Sequence, residues 1–442
     1  MCKKSYYGNC DPETSNNEYC IFHKPNKSEE EAKEFWRKII KTFEPKIKTI
    51  TYNKVAKVRC LAFEKRANFE GYVFPPVFKK YEDEWCYWGY FEYALFMDGA
   101  SFKNCIFEGS ISFMRAVFFG GATFRNARFK EDVDFSEAHF IGRTDFTRAC
   151  FEAPAFFIGT KFVSFGSLND IDLLKDYGSN VTVIFKNTEF RDRVTFHRAS
   201  FEAPLLMTGA CFHSPGEDFL EDIKAITFKY ASNKVELCRA LRKSCEKLHL
   251  SEEADRAFVC EMRALRRWRT QRKILMAKAI RQKISAAMMR LRYFRFIARP
   301  LLLSLLKGYV YLAYLMVKSW FIQATAYLVN IIEFLVADVT CEYGVNWIRP
   351  ILIWLTTVLL FFPTLYTFVT LLGYRSISPT GSGLSNLLQT SIYFSVVTAT
   401  GIGYGSVHPV GVGKIIASIE AIFSTFMWGI FLVVFVRKYM RD

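Results

Sequence analysis

The stretch Phe102-Lys-Asn-Cys-Ile-Phe107-Glu-Gly-Ser-Ile-Ser-Phe113-Met-Arg-Ala-Val-Phe118 carries the rhythm that decides the fold of the first half of the chain. Its phenylalanines stand five, six and five residues apart. The alternation runs outward without a miss, back to Phe91 and Phe96 and on through Phe124, Phe129, Phe135, Phe140, Phe146, Phe151, Phe157 and Phe162. It fades between 163 and 184, then returns at Phe185, Phe190, Phe196, Phe201, Met207 and Phe212. Two residues before most of these sits a small or β-branched side chain, among them Ala100, Cys105, Ala116, Ala122, Ala127 and Val133. A mean step of about 5.5 fits neither the 3.6 of a helix nor the 2 of a strand. A solenoid satisfies it, each short segment forming one side of a coil. The phenylalanines then point to the axis and stack in ladders about 4.8 Å apart. Four alternating sides would use 22 residues per turn.

This pattern resembles the pentapeptide-repeat proteins, whose fold is a right-handed quadrilateral β-helix with a central Phe or Leu and a small residue two before it. The resemblance covers residues 60 to 213, including a weaker opening at Phe63, Phe69 and Phe74. The five–six alternation departs from the family's pure five-residue rhythm and concerns the corners. Such a solenoid implies a scaffold or a binding surface for a protein or ligand partner, not catalysis. Its surface lacks the acidity of family members that mimic DNA.

On the N-terminal side, residues 1–27 hold Cys2, Cys10, Cys20 and His23. Cys20 and His23 set two soft ligands on one turn, and two upstream thiols complete a tetrahedron for a structural Zn²⁺. A polar segment this short has little else to fold around. The competing reading is four unrelated residues in an unstructured terminus. Ser28 and Glu31 then form a capping box, followed by a helical stripe of Phe35, Trp36, Ile39, Ile40 and Phe43. Residues 28–54 are read as amphipathic helix and linker, and 55–213 as the β-helix. The twelve cysteines are irregularly spaced and the N-terminus, MCKKSYYGNCDPETSNN, has no apolar core, so free thiols in a reducing cytosol are expected.

On the C-terminal side the code turns helical over 214–270. Leu237, Leu241, Cys245 and Leu248 mark one face, and Ala254, Phe258, Met262 and Leu265 mark another after a fresh start at Ser251. The pair resembles a helical hairpin that follows the repeats in bacterial pentapeptide-repeat channels. The net charge of +16 concentrates here: residues 261–299 hold 13 Lys and Arg against one acid. So local an excess argues against a nucleic-acid partner and for anionic membrane lipids, with Arg266, Arg267, Arg269, Arg272 and Lys273 facing them. The alternative is a solvated helix face. Residues 271–347 are read as basic and amphipathic juxtamembrane helices. Within 300–337 the longest uncharged run is 14 residues, which favours an interfacial helix over a third span.

Two stretches are long and apolar enough to cross a bilayer: 350–374, with no charge in 25 residues, and 415–436, with only Glu420 in 22. Between them, Thr400-Gly-Ile-Gly-Tyr-Gly405 resembles the filter of two-transmembrane potassium channels, in a loop running from Ser395 to Pro409. The resemblance covers 350–436 and implies an all-α tetrameric pore domain over 348–442, binding K⁺ through backbone carbonyls of Thr400, Gly401, Ile402, Gly403, Tyr404 and Gly405. Filters of this kind select by rings of carbonyl oxygens that stand in for water around the ion. Aligned carbonyls need alternating backbone handedness, which Gly403 and Gly405 supply, while Ile402 and Tyr404 brace the filter from outside. Leu384 to Ala399 is expected as the pore helix. Three departures stand out: Gly401 replaces a threonine, Ser406 replaces an outer-mouth aspartate beside His408, and Ser424 occupies the gating-hinge position, with Gly429 five residues on. Glu420 is either a functional carboxylate or one buried and hydrogen-bonded against the pore helix. No enzyme constellation is visible.

The whole reads as an integral membrane protein with both termini cytoplasmic: a homotetrameric potassium-selective channel carrying a cytosolic pentapeptide-repeat module. The rival readings are a membrane-anchored scaffold and a nonselective monovalent cation channel. The absence of Lys and Arg between Ser376 and Gly413, against Arg437, Lys438 and Arg441 after the last span, sets this orientation.

Overall fold

Short parallel strands in the N-terminal half fall on four stacks in strict rotation. Phe107 pairs with Phe129 and then Phe151, Ile111 with Val133 and then Ala155, and Phe118 with Phe140. Side chains on neighbouring coils, such as Asn104 and Asn126, are 22 residues apart, the coil length that the phenylalanine rhythm implies. The stacks fit a solenoid. The computed structural model describes residues 1–52, 56–76, 91–163, 182–215, 219–297, 302–378, 383–403 and 405–439. It divides into two units, Met1–Trp268 and Arg269–Asp442.

Stacking places ring over ring. Phe107 and Phe129 lie 4.5 Å apart at 0°, and Phe118 and Phe140 lie 4.7 Å apart at 1°, the spacing of strands within a sheet. Neighbouring ladders meet edge to face, as Phe113 meets Phe124 at 82°, and this fills the axis. The small residues two places earlier are buried with them.

The corners explain the alternation. Each five-residue step holds a turn closed from the small residue's N–H to the phenylalanine carbonyl three back, as from Ala116 to Phe113 (3.0 Å) and from Ala127 to Phe124 (3.0 Å). Asn104, Arg115, Asn126, Glu137, Arg148, Asn187 and Arg198 make these turns with φ between 54 and 59°. Left-handed backbone costs a non-glycine residue about 1–2 kcal/mol, least for asparagine. The six-residue steps turn without a non-glycine residue of this kind. Two kinds of corner therefore alternate.

Both ends of the stack are covered. At the start, helix α1 (Glu29–Phe43) carries the full capping box expected of Ser28 and Glu31. Phe35 packs edge-on to Phe74, and Phe43 lies 4.5 Å from Phe69, so the aromatic stripe closes the first rungs. Part of the expected linker is instead strand β1 (Lys46–Tyr52), antiparallel to β2 (Ala56–Phe63). At the far end, beyond α2 (Phe219–Ala225), helix α3 (Ala231–Lys247) lends two buried polar groups to the last strands. The Asn233 amide donates to the Ala203 carbonyl and accepts from Leu205 N–H, while Ser244 Oγ accepts from Phe212 N–H. Capping residues of this kind satisfy the exposed edge of a repeat stack.

Helix α4 (Ser251–Ile297) runs on through residue 270 without a break. Buried Glu261 on α4 accepts from Arg239 and Arg242 of α3, each at 2.9 Å. Cys238 and Cys260 join the same two helices by a disulfide, which corrects the expectation that the cysteines are all free; nine others among the described residues are free thiols. Arg266 is also corrected. It lies seven residues beyond buried Val259 on one face of α4 and is only 8% exposed, whereas Arg267, Arg269, Arg272 and Lys273 are exposed.

In the second unit, α5 (Leu302–Glu333) continues through a π-turn at Phe334–Val339. Ala277 and Ile284 of α4, and Leu312, Ser319 and Ala326 of α5, are buried at intervals of seven, as in a coiled-coil seam. Among the described residues, three helices are long and apolar enough to cross a membrane: Tyr309–Val339, Ile348–Leu371 and Gly413–Tyr439. The first was expected as an interfacial helix because charges break its uncharged runs, yet its overall composition meets the requirement for a span.

Candidate functional site

The outer helix of the pore region consists of α6 (Ile348–Thr356), a π-turn at Thr357–Phe361, and α7 (Phe362–Leu371). In the π-turn, Phe362 N–H reaches the Thr357 carbonyl, five residues back. The next donor in that register would be residue 363, a proline, so the Val358 carbonyl is left without its helical partner. Helix α8 (Leu384–Thr400) supplies one: Ser395 Oγ lies 2.7 Å from that oxygen.

Helix α9 (Gly413–Tyr439) starts hard against the loop that follows α7. A Cβ at Gly413 would sit 1.7 Å from the Ser376 carbonyl oxygen, so only glycine fits. Nearby, Ile377–Ser378 pairs with His408–Pro409, tying the two ends of the pore loop together. Two turns into α9, Glu420 is fully buried. Its Oε2 accepts from Tyr366 Oη of α7 at 2.8 Å, and its Oε1 contacts Ser395 Oγ of α8. One side chain thus joins all three helices. Ser424, one turn further, is buried, and its hydroxyl has no hydrogen-bond partner among the described residues. Gly429 faces open space within a helix that runs unbroken through both hinge candidates.

The pore helix ends one residue later than expected, at Thr400, whose hydroxyl donates back to the Val396 carbonyl at 2.7 Å. Gly401 terminates it in the left-handed region, at φ 68°. Gly403 also has positive φ, 103°, as anticipated, but Gly405 does not, so the handed positions are 401 and 403. Tyr404 lies outside the described residues. Ile402 was expected to brace the filter, yet within one protomer it is 78% exposed. Ser406 and His408 are exposed at the loop's end.

The first unit holds a second cluster. His23 Nδ1 lies 3.1 Å from Cys20 Sγ and 3.6 Å from both Cys2 Sγ and Cys10 Sγ, and the four ligand atoms lie within 4.8 Å of one another. Bond lengths of about 2.0–2.3 Å around a tetrahedral Zn²⁺ demand ligand separations of about 3.4–3.8 Å; two of the three distances from His23 meet this and the third is shorter, so three thiols and an imidazole gathered this closely could hold such an ion. Burial holds the His23 imidazole at a pKa of about 4, hence neutral and able to ligate. Burial, with Cys20 beside it, pushes the Cys10 thiol up to about 12, so a cation would have to displace its proton. The cluster is docked on the solenoid through Val73 N–H, which donates to the Phe22 carbonyl at 2.8 Å. Buried Lys27 adds its ammonium to the carbonyls of Val73 and Lys24.

Comparison with known families resolves the chain into these same parts. Pentapeptide repeats (9 copies) match within residues 91–161, and the Ion channel family matches residues 353–441. The protein therefore joins a pentapeptide-repeat region to an ion-channel domain. Among individual proteins, it is similar to Protein LctB of Bacillus caldotenax, 37% identical over 73 residues, which are 16% of this chain and 54% of that protein. Protein LctB of Geobacillus stearothermophilus is 35% identical over 78 residues, 17% of this chain and 58% of that protein. The chain spans a little over half the length of these curated relatives. No solved structure matches it.

Proposed function

We propose that four copies of this chain form a potassium-selective channel, with the solenoid units in the cytosol as a scaffold or gating module. The observation that carries this reading is Thr400-Gly-Ile-Gly-Tyr-Gly405 at the C-terminal end of α8, between two membrane-length helices in the region matched by the Ion channel family. Carbonyls from Thr400 to Tyr404, repeated fourfold, replace the hydration shell of K⁺. The C-terminal dipole of α8 favours a cation in the cavity below. Gly401 removes a hydroxyl ring from the innermost site, so ions sit there more weakly, while the upper sites keep carbonyls alone. The test is K⁺-driven flux and a bi-ionic reversal potential in liposomes containing only this protein. Equal Na⁺ and K⁺ permeability points to a nonselective cation pore, and no flux at all points to a membrane-anchored scaffold.

The same reading assigns Zn²⁺ to Cys2, Cys10, Cys20 and His23 as a structural ion that fixes the solenoid's first turn. It assigns Arg267, Arg269, Arg272 and Lys273 to anionic headgroups at the cytoplasmic face. Helix α5 then lies at that face and does not cross. Arg269 pairs with Glu333 at 3.7 Å and Arg281 donates to Ser319 at 3.3 Å, so α4 and α5 travel together. Taking α5 through a bilayer would take Arg269, Arg272, Lys273, Lys278, Arg281 and Lys283 with it, at about 2.5–3.5 kcal/mol each.

A further inference from the structure

Three oxygen–oxygen contacts meet behind the pore helix: Tyr366 with Glu420, Ser395 with Glu420, and Ser395 with the Val358 carbonyl. Each needs one proton to be a hydrogen bond. Tyr366 contributes one, which goes to Glu420 Oε2. Ser395 contributes one, and the Val358 carbonyl can only accept it. The contact between Ser395 and Glu420 is then without a proton unless the carboxyl group brings its own.

We infer that Glu420 is a carboxylic acid in the working protein and acts as a neutral clasp that positions the pore helix. Its O–H donates to Ser395 Oγ, Ser395 donates to the Val358 carbonyl, and Tyr366 donates to Glu420 Oε2. Each of the three contacts then has its proton. The ionised alternative must split the one Ser395 proton between two acceptors. It must also hold a full charge in a fully buried site with no cation beside it among the described residues, an arrangement that burial strongly disfavours.

The chain of bonds has a mechanical sense. Pro363 frees the Val358 carbonyl, Ser395 takes it up, and Glu420 locks Ser395 from the other side. Ser395 stands five residues before Thr400, where α8 ends and the carbonyl-bearing segment begins. A pore helix free to slide along the outer helix would move those carbonyls relative to the ion path. Glu420 is thus a positioning residue for the filter, and in that role the inference rests on the channel reading.

The experiment uses full-length protein in liposomes, with Glu420→Gln, Glu420→Ala and Ser395→Ala. A glutamine side chain donates through its amide to Ser395 and accepts from Tyr366, so it reproduces the neutral clasp. The K⁺/Na⁺ permeability ratio of Glu420→Gln should stay within about twofold of the parent, while Glu420→Ala and Ser395→Ala each lose about tenfold, the scale of one buried hydrogen-bond partner left unsatisfied. Infrared difference spectra, parent minus Glu420→Gln, should show the C=O stretch of a protonated carboxyl. An ionised-carboxylate band in its place, or a Gln variant as impaired as the Ala variant, overturns the inference. So does an Ala variant with unchanged selectivity. Should the parent itself pass no K⁺, the channel reading fails, and the infrared spectrum alone decides whether the clasp carries its proton.

Discussion

The solenoid interior and the pore region are both built from aromatic and aliphatic side chains, yet one is finished within the chain and the other is not. Phe102, Phe124 and Phe146 are fully buried, each with a ring above and below. In the second unit many large apolar residues face outward: Ile402 is 78% exposed, Ile422 71% and Val433 70%. That unit buries polar groups among its apolar core: Glu420, Ser391, Ser395 and Ser424 lie within it alongside Phe362, Tyr366 and Phe394. Water organises the first unit by expelling its rings. Hydrocarbon would cover the outward face of the second, where apolar packing and hydrogen bonds together set the internal geometry.

The largest expected effect tests whether the solenoid's first turn is as self-sufficient as its middle. Cys20→Ser should drop bound zinc from one ion per chain to none and forfeit apparent binding energy on the order of 10 kcal/mol. Metal analysis of both purified proteins reads this, and equal zinc content refutes it. Next is the ladder itself. Phe124→Ala opens a void between two rings and should destabilise the first unit by about 3–5 kcal/mol in denaturant unfolding, with the second unit unaffected. Loss of both units together would mean that the contrast between them is false. Converting Arg267, Arg269, Arg272 and Lys273 to Gln should weaken binding to anionic vesicles by about 1 kcal/mol per charge at low salt, and the gap should close as salt rises. Neutral vesicles binding the parent equally well would make the band a solvated face. The smallest effect falls at the pore-helix terminus. Gly401→Thr should cost about 1–2 kcal/mol, because a β-branched residue must hold φ near 68°. It should strengthen internal Ba²⁺ block while K⁺ stays preferred over Na⁺.

Much of the fold was legible because it repeats. A five–six spacing of one large residue leaves few architectures, and the register of 22 follows from four sides. The corners were not legible by residue type. Asparagine at 104, 126 and 187 hints at left-handed backbone, but Arg115, Arg148 and Glu137 hold the same conformation without any such preference. Near the end of α8 the Thr400–Gly405 motif singled out the loop, while the setting of Glu420 depended on Pro363 and Ser395, 57 and 25 residues away and invisible as partners in one dimension. Arg266 was misplaced for a related reason. A run of cations looks uniform until the helix turns one of them inward on the same face as Val259. The Cys238–Cys260 bond joins cysteines whose spacing of 22 residues carries no recognisable motif.

The 22-residue register also governs which changes in chain length the solenoid can absorb. Removing one full coil would return every ring to a ring and shorten the stack by a single sheet spacing, about 4.8 Å. Removing eleven residues, one short and one long side, would keep the aromatic spacing but rotate everything downstream by half a turn, so α3 would leave from the opposite flank. A change of five or six would set unlike corners over each other and break the stack. Between Phe151 and Phe190 the paired strands stand 39 residues apart, and the pairing resumes on the same stacks. Extra chain is therefore admitted when it leaves and re-enters at one point of the circuit. For chain that joins the stack the repeat region acts as a ruler graduated in coils and as a dial graduated in half-turns, while chain that loops out is exempt from both scales.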